Sequence, residues 1–100
     1  MYNLSYHVVV RTPVGVRIGD ITLAIEDGKV TGVLETPFFE PSFVGILNED
    51  DTLTLTLVLT ANDEHREYKG VGRISGYAIH ISVPTDDFTY EIDGTTVKAR

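Results

Sequence analysis

The stretch TLTLTLVLT, residues 52–60, alternates leucine with threonine or valine. Successive side chains of a β-strand point to opposite sides, so an alternation with a period of two is typical of a strand with one buried face. The threonines, which are β-branched and more polar, suit the outer face. The buried face would hold the four leucines of the stretch: Leu53, Leu55, Leu57 and Leu59.

The same alternation recurs along the chain, and short turn sequences rich in Gly, Pro, Asn and Asp interrupt it. We therefore predict about eight strands and no helix. One change of phase, at Gly19-Asp20 in the second strand, predicts a β-bulge, because one extra residue moves the following side chains to the other face. That bulge would bring two apolar sets to the interior: Val14, Val16 and Ile18 before it, and Ile21, Leu23 and Ile25 after it.

Short connections between strands predict that sequential strands pair antiparallel, as an up-and-down meander. A meander of this length tends to close, since closure removes the exposed edges that promote aggregation. We predict that residues 1–100 form a single small β-barrel domain. A two-sheet β-sandwich is the alternative, because alternation alone does not distinguish the two.

The strand pattern of the whole chain, with its glycine-punctuated strands and inward aromatic side chains, resembles the lipocalin-like, or calycin-type, barrels. The resemblance is one of architecture. The chain contains no tryptophan, and so it lacks the Gly-x-Trp motif of lipocalins. It is also shorter than a typical lipocalin, and it has no helical lid sequence.

The composition of the chain argues against some classes of binding partner. The chain carries a net charge of −7, and its eight basic residues are scattered, which argues against a nucleic-acid partner. It has no cysteine, and nothing approaches a membrane-spanning apolar run. The N-terminal sequence does not have the pattern of a signal peptide. We expect a cytoplasmic protein with no membrane partner.

The turns differ between the two ends of the predicted barrel. One end would hold three short turns, and the other would hold the longer, proline-containing loops, including TPFFEPSF at residues 36–43. Pro37 and Pro41 argue against a strand there. Phe38 and Phe39 would therefore lie over the barrel mouth. They could plug the mouth, contact another copy of the chain, or gate a ligand cavity.

Aromatic side chains that alternation places inward would line such a cavity. We predict that the protein binds a small apolar or aromatic ligand, without catalysis, at the end that carries Phe38 and Phe39. The other candidate ligand-binding residues are Phe43, Tyr6, Tyr68, Tyr77, Phe88 and Tyr90.

Apolar residues on the outer faces of the third, fourth and fifth strands support an alternative function. Exposed apolar patches of this kind often mark interfaces. The alternative is a homo-oligomeric structural or interaction protein whose barrel is filled by side chains. Its interface residues would be Val33, Val44, Ile46 and Val58.

The sequence does not show a catalytic or metal-binding constellation. His7 and His80 fall on outward positions, and the adjacent Ser5 and His7 lack an orienting third group. The acidic runs lack the spacing of a calcium loop. We expect no metal and no cofactor, and the sequence favours a protein that is not an enzyme without deciding the matter.

Overall fold

The computed structural model describes residues 2–37, 40–61 and 64–96, and the secondary structure of these ranges is β throughout. In chain order the strands are β1 (Tyr2–Thr12), β2 (Gly15–Glu26), β3 (Lys29–Glu35), β4 (Ser42–Leu47), β5 (Thr52–Ala61), β6 (Glu64–Ser75), β7 (Ala78–Pro84) and β8 (Thr89–Thr96). Within the described ranges no helix is long and apolar enough to cross a membrane.

The eight strands form one closed antiparallel barrel in sequence order. Each strand pairs with the next one in the chain, and β1 pairs with β8 to close the sheet, from Tyr6 opposite Thr96 to Arg11 opposite Glu91. The prediction of an up-and-down barrel is confirmed, and the alternative of a two-sheet sandwich is excluded. Every strand thus has a partner strand on each side, and closure of this kind removes the open edge strands that promote aggregation.

The inward side of the barrel is almost entirely apolar. Leu53 and Leu55 of β5 are buried, as their alternation predicted. They pack with the inward residues of the other strands into one core, and no buried side chain in the described part of the chain is polar or charged. Replacing one such buried aliphatic side chain by alanine typically costs about 2–5 kcal/mol of stability. The core therefore holds the barrel together.

The predicted β-bulge in β2 is wrong. The register of β1 and β2 runs without interruption from Tyr2 opposite Ile25 to Thr12 opposite Gly15. Because the phase never changes, the apolar residues in the first half of β2 lie on the outer face. Ile18 is 73% exposed, and Val14 and Val16 are also exposed. The alternation of apolar residues correctly predicted a β-strand in this half of β2, but alternation alone does not show which face of a strand points to the interior.

The turn between β6 and β7 corrects a second prediction. It consists of Gly76 and Tyr77, with Ser75 and Ala78 paired on either side. Gly76 has a φ of 60°, and a glycine at the first central position is typical of a type II′ hairpin turn. The prediction that Tyr77 points inward is wrong, because its place in this turn leaves it 81% exposed.

Gly72 of β6 shows how closely neighbouring strands approach in this small barrel. A Cβ atom at this position would lie 2.5 Å from the carbonyl oxygen of His80 and 2.9 Å from Cγ1 of Ile81, both on β7. Such distances are far inside van der Waals contact. Glycine therefore allows β6 to pack against β7 in this region of the sheet.

Candidate functional site

A cavity of about 1140 Å³ opens at one end of the barrel. Its opening is formed by the β1–β2 turn, by the β7–β8 loop, and by Pro41, which precedes β4. These are connections that the sequence grouped at the mouth end. The interior wall is mainly aliphatic: Val10, Leu34, Leu57, Leu59, Val83 and Ile92.

Core side chains fill the barrel interior away from the mouth, and the cavity occupies the mouth end. Tyr6 and Phe43, which were predicted to bind ligand, do face inward, but each is only 1% exposed and belongs to the core. Neither lines the cavity. The structure therefore places these two rings with the packed core, apart from the cavity surface.

Three of the predicted aromatic residues do meet at the cavity: Tyr68 of β6, Phe88 before β8, and Tyr90 of β8. Phe88 and Tyr90 are two residues apart, and their rings pack edge to face with centroids 5.3 Å apart. Tyr68 projects from β6, and β7 is the one strand between β6 and β8. The three rings therefore give the cavity an aromatic side.

A local hydrogen-bonding pattern fixes the position of Phe88. The hydroxyl of Thr85 donates to the carbonyl oxygen of Phe88 at 2.6 Å and accepts from the backbone N–H of Phe88 at 3.2 Å. The backbone N–H of Thr85 also donates to the Phe88 carbonyl at 2.8 Å. Short side-chain–backbone bonds of this kind stabilise tight loops. The β7–β8 loop thus holds the Phe88 ring beside the cavity.

Two arginines also line the cavity, and the sequence analysis did not single them out. Arg17 of β2 lies opposite Val10, and Arg66 of β6 lies opposite Leu59. Directly opposed residues in an antiparallel pair project to the same face, so both arginines project toward the interior side. Arg66 has the same phase as Tyr68, and alternation could have found it. The wrongly predicted bulge concealed Arg17.

The remaining ligand-binding candidates do not meet at this site. Phe38 and Phe39 lie outside the described residues, although Pro41 of the same loop lines the cavity. Tyr77 lies in the β6–β7 turn, at the opposite end of the barrel from the β7–β8 loop. The described site therefore rests on Tyr68, Phe88 and Tyr90.

The outer face carries a polar cluster around His80. Its Nδ1 lies 2.5 Å from Oδ1 of Asp93, and its Nε2 lies 3.1 Å from Oγ of Ser82 and 3.2 Å from Oε1 of Glu91. The Ser82 hydroxyl donates to Glu91 at 2.7 Å, so its proton points away from the ring that would have to accept it in nucleophilic catalysis. The cluster links β7 to β8 through polar contacts.

The other two histidines also meet carboxylates on the outside of the barrel. His7 Nδ1 lies 2.6 Å from Asp20 Oδ1, because the register sets these residues opposite each other. His65 Nε2 lies 2.9 Å from Glu67 Oε2. Exposed pairs of this kind contribute at most about 1 kcal/mol to stability. They are partners that the sequence alone did not reveal.

The acidic turn between β4 and β5 forms its own hydrogen bonds. The carboxylate of Asp50 accepts from the Thr52 hydroxyl at 2.6 Å and from the Thr52 backbone N–H at 3.2 Å. These bonds favour the ionised form and lower the pKa of Asp50. In the part of the chain that the structure describes, no group of three His, Cys, Asp or Glu side chains is arranged to hold a metal ion.

The predicted oligomer interface lies on the outer face, across β3, β4 and β5. Val33, Val44 and Ile46 are exposed, Val44 to 47% and Ile46 to 53%, and Val58 is half-buried. Val33 and Val58 both flank Ser42, so each is a diagonal neighbour of Val44. The four residues form one apolar stripe.

A second apolar surface lies on β1 and β2. Ile18 lies directly opposite Val9, and Val16 follows on the same face of β2. All three side chains are exposed, as is Val14 in the adjoining turn. The outer face therefore offers two candidate contact surfaces, one of which the predicted bulge concealed.

Comparison of the chain with protein-family models gives no match, and neither the curated proteins nor the solved structures include one with significant similarity. The architecture is that of an eight-stranded up-and-down barrel, consistent with a lipocalin-like arrangement. This architecture does not by itself indicate a function, since a shared architecture does not imply a shared activity.

Proposed function

We propose that this protein is a non-catalytic, lipocalin-like binding protein that takes a small apolar or aromatic molecule into the cavity. The observation that carries the proposal is an open cavity of about 1140 Å³ whose interior wall is mainly aliphatic and includes three aromatic rings. Ligand sites in proteins are commonly clefts of about 300–1,000 Å³ with apolar walls and a few polar groups. This cavity is slightly larger than that range, and its lining fits the description.

Part of the apolar wall of the cavity is not buried by other protein side chains. Leu57 and Leu59 are only half-buried, whereas Leu53 and Leu55 on the same face of β5 are buried. A ligand that covers apolar surface gains about 25 cal/mol for each Å² removed from water. The mouth end of the barrel therefore has apolar surface exposed to water that a small ligand would cover.

The first test is native mass spectrometry of freshly purified protein, with a denatured spectrum of the same sample. We expect an additional mass in the native spectrum that is lost on denaturation.

The second test uses phenylnaphthylamine, a neutral aromatic dye that fluoresces in apolar sites. We expect saturable binding to the wild-type protein, and loss of binding in Leu57→Trp, which fills the cavity. Thr54→Trp, at an outward position of the same strand, is the matched control.

Saturable dye binding that survives Leu57→Trp would place the dye outside the cavity and contradict the proposal. Absence of both a copurified mass and dye binding would also contradict it. In that case Phe38 and Phe39 would be better explained as a plug. Phe38→Ala and Phe39→Ala separate these roles, since a ligand gate predicts weaker dye binding by folded variants and a plug predicts loss of stability.

Assembly through the outer apolar stripe is the second candidate function. The observation in its favour is that Val33, Val44, Ile46 and Val58 lie on the same outer face of three adjacent strands. Most soluble homo-oligomers are closed and symmetric, and an exposed β-branched stripe suits a self-complementary contact. This function is compatible with a ligand in the cavity, because the stripe lies on the opposite side of the sheet from the cavity wall.

A further inference from the structure

Charged residues of both signs line the cavity, and two of them are arginines. Arg17 and Arg66 occupy interior-facing positions, on strands that are separated by three other strands in either direction around the barrel. They therefore approach the cavity from opposite sides. The other charged residues that line it are exposed: Glu67 and Lys69 at outward positions of β6, and Asp86 and Asp87 in the β7–β8 loop.

Both arginines stay accessible to solvent and to a ligand, since Arg17 is half-buried and Arg66 is exposed. Arg17 donates a hydrogen bond from Nη1 to the carbonyl oxygen of Val16 at 3.0 Å. A guanidinium group has five N–H donors in a planar fork that matches a carboxylate or a similar anion. Each arginine can therefore hold an anionic ligand group in addition to its contacts within the protein.

The aromatic side of the cavity adds a preference for the body of the ligand. Tyr68, Phe88 and Tyr90 line the cavity, and the rings of Phe88 and Tyr90 pack edge to face. Aromatic pairs are stabilised beyond the burial of their area alone. Arginine also stacks on aromatic faces. An aromatic ligand would thus contact both kinds of side chain.

We propose that the cavity takes an aromatic molecule that carries one anionic group, such as a carboxylate or sulfonate. Its rings pack against Tyr68, Phe88 and Tyr90, and its anion is held by the inward arginines. This inference rests on the proposed binding function and narrows the chemistry of the ligand. It requires affinity to depend on the ligand's charge, which a purely apolar site does not.

The test compares two dyes of the same ring skeleton. Anilinonaphthalene sulfonate carries a sulfonate group, and phenylnaphthylamine is its neutral counterpart. We expect the wild-type protein to bind the sulfonate about tenfold more tightly, as a charge-assisted hydrogen bond would produce. Arg17→Met and Arg66→Met should each weaken sulfonate binding severalfold, and their affinity for the neutral dye should stay within about twofold of wild type.

Arg73→Met is the matched control, because it removes one positive charge from an outward position of β6. It should leave both affinities unchanged. Thermal melts confirm folding, and Arg17→Gln replaces Arg17→Met if the latter does not fold. Equal affinity for the two dyes, or losses no larger than that of Arg73→Met, would overturn the anionic preference and leave the binding function standing. Failure of both dyes to bind would instead contradict the binding function itself.

Discussion

Phe88 and Tyr90 pack edge to face at the cavity, with ring centroids 5.3 Å apart and ring planes at 84°. Phe88 lies in the β7–β8 loop and Tyr90 in β8, so this contact joins the loop to the barrel wall. The pair forms part of the cavity surface. Its geometry makes Phe88 a sensitive position for testing whether the cavity binds ligand.

Phe88→Ala should weaken binding of phenylnaphthylamine about fivefold, because it removes one lining ring and the edge-to-face contact that orients Tyr90. Fluorescence titration measures the change. Tyr77→Ala removes an aromatic ring at the other end of the barrel and should leave the affinity unchanged. An equal effect of the two substitutions would show that the dye does not bind in the cavity.

Gly72→Ala should destabilise the barrel by about 1–3 kcal/mol, the usual range for overpacking. The added methyl group would lie 2.5 Å from the His80 carbonyl oxygen, so β6 and β7 would have to separate. Urea unfolding measures the loss. Ser75→Ala, at an exposed position of the same strand, should change the stability by less than about 0.5 kcal/mol. Similar values for both variants would contradict the close approach of the two strands.

Thr52→Val should raise the pKa of Asp50 toward its ordinary value. The Thr52 hydroxyl is the largest cause of the lowered pKa, and the backbone N–H of Thr52 remains as a weaker one. Carbon-13 NMR titration of the carboxyl group measures the shift. Thr54→Val is the matched control, since the Thr54 hydroxyl contacts Asn48. An unchanged Asp50 pKa in Thr52→Val would contradict the hydrogen bond.

The same bond predicts the sign of a pH dependence. Because folding lowers the pKa of Asp50, its contribution to stability is present above the unfolded value, about 3.9, and is lost as the pH falls through the folded value. Wild-type protein should therefore exceed Thr52→Val in stability near neutral pH by more than it does near pH 3. A constant difference across this range would show that Asp50 is not involved.

Ile46→Lys should break any homo-oligomer, because it places a charge in the stripe of Val33, Val44, Ile46 and Val58. Ile18→Lys introduces the same change on the β1–β2 surface and should leave the assembly intact. Analytical ultracentrifugation at tens of micromolar distinguishes the species. Disruption by Ile18→Lys alone would move the interface to β1 and β2, and a monomeric wild-type protein would remove the assembly function.

Some residues of the candidate site could be predicted from the alternation of apolar and polar residues along the strands. Tyr68, Phe88 and Tyr90 were predicted to face inward, and they line the cavity. Their phase follows from the local pattern, since each lies on a face shared with aliphatic residues. Tyr6 and Phe43 were also predicted to face inward. Alternation does not show where along the barrel axis an inward residue lies, so it could not distinguish core residues from residues that line the cavity.

The sequence by itself determined the number of strands, their antiparallel order and the inward leucines of β5, because a period of two and short turns are local properties of the chain. Only the tertiary structure decided the phase of β2, and with it the inward side of Arg17 and the outward side of Ile18. It also decided that His80 meets Asp93, and that the barrel is filled at depth and open at the mouth. These features depend on the register between strands, and register is set by hydrogen bonding and packing across the whole barrel.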